Sequence, residues 1–200
     1  MRKLMCILAL ITLIGFCTAR EMPSEEECYG EIQAALGNIK QERENLAAND
    51  YVSAGSCYKN RKGYDKAAEC FLKAVELDKE VGSYGGAGAA YSSAGDMYRE
   101  MENEEKAREY YHLAIDTYMK AGFRDTSPAR VYKKLGDYDN ACKYCNMDDG
   151  FSHEECIKYG FCKEGSLSAA SPGGVGLLIP LIVLGVILGG VIFFVIKRKK

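Results

Sequence analysis

The sequence predicts an all-α protein: a short α-solenoid of helix-turn-helix repeats with one transmembrane helix at its C-terminal end. Three observations carry this. Alanine, tyrosine, glutamate and lysine dominate, Trp is absent and strand signals are few. A five-position pattern of small and aromatic residues recurs 40 positions later. Finally, Val175 to Ile196 is uncharged and rich in Ile, Leu, Val and Phe, and Lys197-Arg198-Lys199-Lys200 follows at once.

At the N-terminus, Arg2 and Lys3 precede an uncharged apolar run from Leu4 to Phe16, and Cys17-Thr18-Ala19 leads into polar sequence. A positive start, a short apolar run and a small residue at its end describe a secretory signal peptide, residues 1–19. An uncleaved signal anchor is the alternative. At the other end, residues 175–196 are long enough to span a bilayer as a helix, and residues 197–200 form a basic tail that stays cytoplasmic. Pro180 and the glycines at 176, 185, 189 and 190 reduce the regularity of that helix. The same layout of small residues, apolar span and basic tail also fits a sorting signal removed after export. Together the two ends place residues 20–174 outside the cytoplasm, as the ectodomain of a single-pass cell-membrane protein. Gly185 and Gly189 form a GxxxG spacing that allows a homodimer in the membrane.

All 28 acidic residues fall in that ectodomain, against 20 of the 26 basic ones, for a net charge near −8. Nucleic acid is excluded as a partner on this balance, because phosphate binding needs a basic footprint.

Residues 20–47 read as an N-terminal helix. Pro23-Ser24-Glu25-Glu26-Glu27 is a capping-box start, and the helix is expected to run to about Leu46 with Ile32, Leu36 and Ile39 inward. The repeats follow over 48–148, in units of about 48–87, 88–121 and 122–148. Gly55, Tyr58, Ala67, Phe71 and Ala74 match Gly95, Tyr98, Ala107, Tyr111 and Ala114 with identical internal spacing. A looser third copy comprises Ala129, Tyr132, Ala141, Cys145 and Asp148. Residues three or four apart share a helix face, so each copy is a helical hairpin. Small residues allow close approach, and the aromatic residue fills the space between neighbouring pairs. Turn residues separate the helices at Lys62-Gly63, Glu102-Asn103 and Leu135-Gly136-Asp137, with Asn103 as an N-cap before Glu104 and Glu105. Ser127-Pro128 reads as the N-cap and first residue of the third unit. Its second helix is expected to end early, near Asp148 and Gly150, as a terminal cap.

This pattern resembles the tetratricopeptide repeat over about residues 48–148. The 40-residue offset is similar to the longer repeats of the soluble attachment proteins of vesicle fusion, which act in the cytosol. Here the lengthening is assigned to a link at Val81-Gly82-Ser83-Tyr84-Gly85-Gly86. Tyr51 and Tyr91 stand where the repeat family has Trp, and Lys79 and Met119 where it often has Pro. The resemblance implies that the first helices of successive repeats line a groove for a peptide or helix. That groove comprises Ser56, Lys59 and Asn60, then Ser92, Asp96 and Arg99, then Arg130, Lys133 and Lys134. The set leans basic, which favours an acidic segment or chain terminus of another protein as partner.

After signal removal seven cysteines remain, and outside the cytoplasm disulfides are the default. Cys142, Cys145, Cys156 and Cys162 cluster with His153 in a cysteine-rich cap, 149–162, before a linker, 163–174. A disulfide-stapled cap leads, with a structural zinc site and a redox Cys-x-x-Cys at 142 and 145 behind it. Cys57 and Cys70 either pair or are core residues, and Cys28 is the expected odd thiol. No resident metal or cofactor is assigned.

No catalytic constellation stands out. His112 lies on a repeat helix, and nothing orients the paired acids Asp148-Asp149 and Glu154-Glu155. Gly85-Gly86-Ala87-Gly88 follows a helix, so it reads as a flexible link and not a phosphate loop. A non-enzymatic, membrane-anchored interaction adaptor leads. The alternatives are a cysteine-rich metal-binding or redox ectodomain and a structural cell-envelope protein.

Overall fold

A tight turn repeated every twenty positions sets the architecture. Glu42, Lys62, Gly82, Glu102 and Gly122 all have positive φ, between 55° and 77°. At each turn an amide reaches back five residues: Arg43 to Asn38, Gly63 to Tyr58, Ser83 to Asp78, Asn103 to Tyr98 and Phe123 to Tyr118, at 2.7–3.0 Å. A left-handed residue with that hydrogen bond is a Schellman ending, which satisfies orphaned carbonyls and reverses the chain. Between the turns, α2 (Glu44–Asn60), α3 (Tyr64–Glu80), α4 (Tyr84–Glu100) and α5 (Glu104–Lys120) each contain 17 residues.

This computed structural model describes residues 22–165. The expected signal peptide, transmembrane helix, Gly185/Gly189 pair and basic tail lie outside the described residues. Among the described residues there are eight helices and no strands, and no helix is long and apolar enough to cross a membrane. All eight belong to one compact unit ending at Lys163. The remaining helices are α1 (Glu25–Ile39), α6 (Thr126–Lys134), α7 (Tyr138–Cys145) and α8 (His153–Lys158). Each helix packs principally on its neighbours in sequence, as an α-solenoid requires.

α1 begins with a full capping box. Ser24 Oγ accepts from the Glu27 amide at 3.1 Å, and Glu27 Oε2 accepts from the Ser24 amide at 2.6 Å. Asn103 caps α5 through the Lys106 amide at 3.1 Å. The core these helices share is built on alanine and on glycines that receive aromatic rings. A Cβ at Gly55 would lie 2.8 Å from the Phe71 ring, and one at Gly95 would lie 2.7 Å from Tyr111. The same fit recurs at Gly88 with Tyr118 and Gly85 with Phe123. Ala67, Ala74, Ala107, Ala114 and Ala141 are fully buried, and Tyr58, Phe71 and Tyr111 nearly so. Tyr98 and Tyr132 are half-buried and stack on Tyr110 and Tyr144, with ring centroids 5.0 and 5.4 Å apart.

Several elements differ from the sequence reading. The N-terminal segment is not one helix to Leu46: α1 stops at Ile39, and Leu46 belongs to α2. Leu36 and Ile39 are exposed, and α1 instead buries Cys28 and Ala35, with Ile32 partly covered. Residues 85 and 86 are helical, so the 40-residue period comes from two long helices with short turns, not from a long link. Gly85 and Gly88 are packing sites for the Phe123 and Tyr118 rings and Gly86 for the Asp78 carboxylate, groups that a flexible link would leave without a seat. In the third unit the N-cap is Asp125, two residues before the expected Ser127, because its Oδ1 accepts from the Ser127 amide at 2.7 Å.

Candidate interaction face and cysteine cap

The first helices of the three pairs are α2, α4 and α6, and the nine expected groove residues divide by environment. Ser56, Lys59 and Asn60 on α2 are exposed, as are Arg99 on α4 and Arg130 and Lys133 on α6. Ser92 is buried, and Asp96 and Lys134 are half-buried. Those three meet. Lys134 Nζ donates to Asp96 Oδ2 at 2.7 Å and to Ser92 Oγ at 2.8 Å, which ties α6 to α4. The other Asp96 oxygen accepts from the Tyr111 hydroxyl at 2.8 Å and pairs with Arg99 at 3.4 Å. The Arg99 guanidinium and Lys134 ammonium also lie 5.8 and 5.6 Å from the Tyr111 ring centre, within cation–π range. Burial, and secondarily the bond to Asp96, raises the Tyr111 phenol well above its usual pKa, so it remains a donor throughout the physiological range. The middle of this face is therefore internally neutralised.

Lys133 is committed elsewhere. Its ammonium donates to the Tyr159 carbonyl at 2.8 Å and lies 5.5 Å from the Phe161 ring centre, so it fastens the cap to α6. Lys59, Arg99 and Arg130 are the remaining exposed cations of the first helices, Arg99 sharing its charge with Asp96, while Lys133 and Lys134 serve the fold.

The cap is built by two disulfides, Cys142–Cys162 and Cys145–Cys156, which join α7 to α8 and the segment after it. Ala129, Ala141, Cys145, Cys156, Phe161 and Cys162 form its core. Asp148 stitches the cap to the start of α6, accepting from the Gly150 amide at 3.0 Å and the Thr126 amide at 3.1 Å. These two bonds, the Gly150 one first, hold its carboxyl below the usual carboxylate range. The Cys-x-x-Cys pair at 142 and 145 is not mutually bonded; adjacent turns of α7 send the two thiols to different partners.

A third disulfide, Cys28–Cys57, staples α1 to α2. The odd thiol is therefore Cys70 and not Cys28. Cys70 is buried on α3 beside a cleft of about 340 Å³ lined by Tyr29, Ile32, Tyr51 and Tyr58. Burial pushes its pKa up to about 11, so it stays protonated and acts as an apolar core residue. Sequence reasoning also missed that Tyr111 is a network member as well as a packing ring. The identical offset of Asp96 and Tyr111 from the repeat's small residue carries no signal of that bond, because α2 has Ser56 and α3 has Phe71 at the same places.

Two comparisons bear on this architecture. No curated protein sequence matches the chain. The family model described as soluble NSF attachment protein, SNAP, matches residues 28–155, from the disulfide-bonded Cys28 through all three helical pairs and into α8. That stretch is well over half of the chain and carries its 20-residue turn periodicity, so this protein belongs to the soluble NSF attachment protein family of helical-repeat proteins.

Proposed function

We propose that this protein is a membrane-anchored, extracytoplasmic adaptor whose α2/α4/α6 face holds an acidic segment or chain terminus of another protein. The observation that carries the reading is the set of exposed cations Lys59, Arg99 and Arg130 on the three first helices, with Asp96 held closely by Lys134 at 2.7 Å and by Arg99 only at 3.4 Å. An incoming carboxylate meets positive charge there and no unpaired buried acid. Helical solenoids present extended surfaces of this kind to protein partners. Three disulfides support an oxidising location, in keeping with the apolar segments at both ends of the sequence. No catalytic role is assigned to the chain.

The test is cross-linking in native membranes, comparing wild type with a Lys59→Glu, Arg99→Glu, Arg130→Glu variant. Loss of a cross-linked partner from a variant that keeps its helical signal and melting temperature supports the reading. A partner retained by the folded variant refutes the face. Acid-quenched denaturation followed by alkylation without reductant tests the location: six blocked cysteines in the ectodomain are expected, and six reactive ones would refute an extracytoplasmic site.

A further inference from the structure

One of the three disulfides sits in surroundings unlike the others. Cys145 and Cys156 are fully buried, and Cys28 is closed from solvent within the α1/α2 seam. Cys57 and Cys142 are both half-buried, and what sets Cys142–Cys162 apart is the imidazole beside Cys162. His153 Nδ1 is 4.0 Å from Cys162 Sγ, and the ligating atoms of Cys142, Cys162 and His153 all fall within 4.8 Å of one another. Asn146 frames the same space, meeting His153 Nδ1 at 2.9 Å and Cys142 Sγ at 3.4 Å.

The geometry points to a second state of this cap, in which a dithiol reductant opens Cys142–Cys162 and the two thiolates with His153 bind a zinc-class divalent ion. The reductant's first thiolate attacks Sγ of Cys142, the less buried residue of the pair, and Cys162 leaves as thiolate beside His153. The second thiol of the reductant then displaces Cys142, and the reductant departs as its own disulfide, having supplied two electrons. On binding the metal, the two cysteines lose their protons to solvent. Two sulfurs and one imidazole nitrogen are a ligand set typical of zinc, with water completing the tetrahedron at the half-exposed rim. A sulfur and a nitrogen on one tetrahedral ion lie roughly 3.5 Å apart, close to the Cys162–His153 separation already present. The hydrogen bond of His153 Nδ1 to Asn146 is exchanged for the coordinate bond. Cys145–Cys156, shielded from the reductant by complete burial, keeps α7 joined to α8 while the site forms. Bond and ion are thus alternative staples for the same end of the solenoid.

The test uses the full chain in detergent, titrated with Co²⁺ and then Zn²⁺ before and after mild dithiol reduction. Mass analysis of alkylated cysteines shows which bond has opened. The expected result is no metal binding by the oxidised chain. After reduction, one Co²⁺ per chain should bind with a thiolate charge-transfer band, and Zn²⁺ should displace it. His153→Ala should weaken binding by more than the roughly 10–100-fold that loss of even an outer-shell partner costs. Cys142→Ser/Cys162→Ser should abolish it, whereas Cys70→Ser should leave it unchanged. Absence of binding once Cys142 and Cys162 are reduced overturns the inference, whether or not the cap stays folded. Binding that survives the double serine variant, or that first requires reduction of Cys145–Cys156, overturns it as well.

Discussion

Gly95→Ala is the sharpest test of how this solenoid is packed. In an exposed helix interior the change should stabilise by about 1 kcal/mol, the ordinary propensity difference. Here the new Cβ would sit 2.7 and 2.8 Å from two Tyr111 ring carbons and 3.1 Å from the Ala107 carbonyl oxygen. Ordinary contact begins near 3.4 Å, so either the ring or the backbone of α5 must retreat by several tenths of an ångström. The ring is poorly placed to do so, since its hydroxyl is held by Asp96 and Asp96 is held by Lys134. Overpacking of this kind costs about 1–3 kcal/mol, which cancels the helix gain and leaves a net loss of up to about 2 kcal/mol. Gly30 on α1 is the internal control, because a Cβ there meets nothing within 4 Å. Gly30→Ala should therefore stabilise by about 0.5–1 kcal/mol. Urea denaturation followed by circular dichroism, with the slope checked for constancy, reads both changes as midpoint shifts. A Gly95→Ala protein that gains as much stability as Gly30→Ala would refute the glycine–aromatic packing.

Two further predictions concern the turns and the cap. Lys62 holds a left-handed conformation at φ 61°, at the place where Gly82 and Gly122 stand in later turns, so Lys62→Gly should stabilise by about 1 kcal/mol in the same denaturation assay. The Asp148 carboxyl titrates below its ordinary value when folded, so its contribution is full above the ordinary carboxylate range and is lost as pH falls through the lowered folded value. Wild type should therefore converge on Asp148→Ala in thermal stability below about pH 4, and a gap that persists unchanged into acid would contradict the assigned bonds.

Much of the fold was legible because it is written in short-range spacing. Gly55, Tyr58, Ala67, Phe71 and Ala74 repeat at Gly95 to Ala114, and a helix turns every 3.6 residues whatever surrounds it. The capping box at Ser24 and the cap at Asn103 were equally local, since donor and acceptor lie three residues apart. The boundary at Ile39 was not, because its turn is closed by Glu42 in a left-handed conformation that glutamate seldom marks.

By itself, then, the sequence determined an all-helical repeat protein, its tyrosine- and glycine-based seams, and a cysteine cluster at the end of the array. Tertiary structure alone decided that Cys28 pairs with Cys57, that Cys70 is the buried thiol, and that Lys133 and Lys134 serve the fold while Lys59, Arg99 and Arg130 stay exposed. The physical reason is range. Helix faces and caps follow from neighbours within a turn or two, whereas disulfides and ion pairs depend on which side chains converge after distant helices have packed.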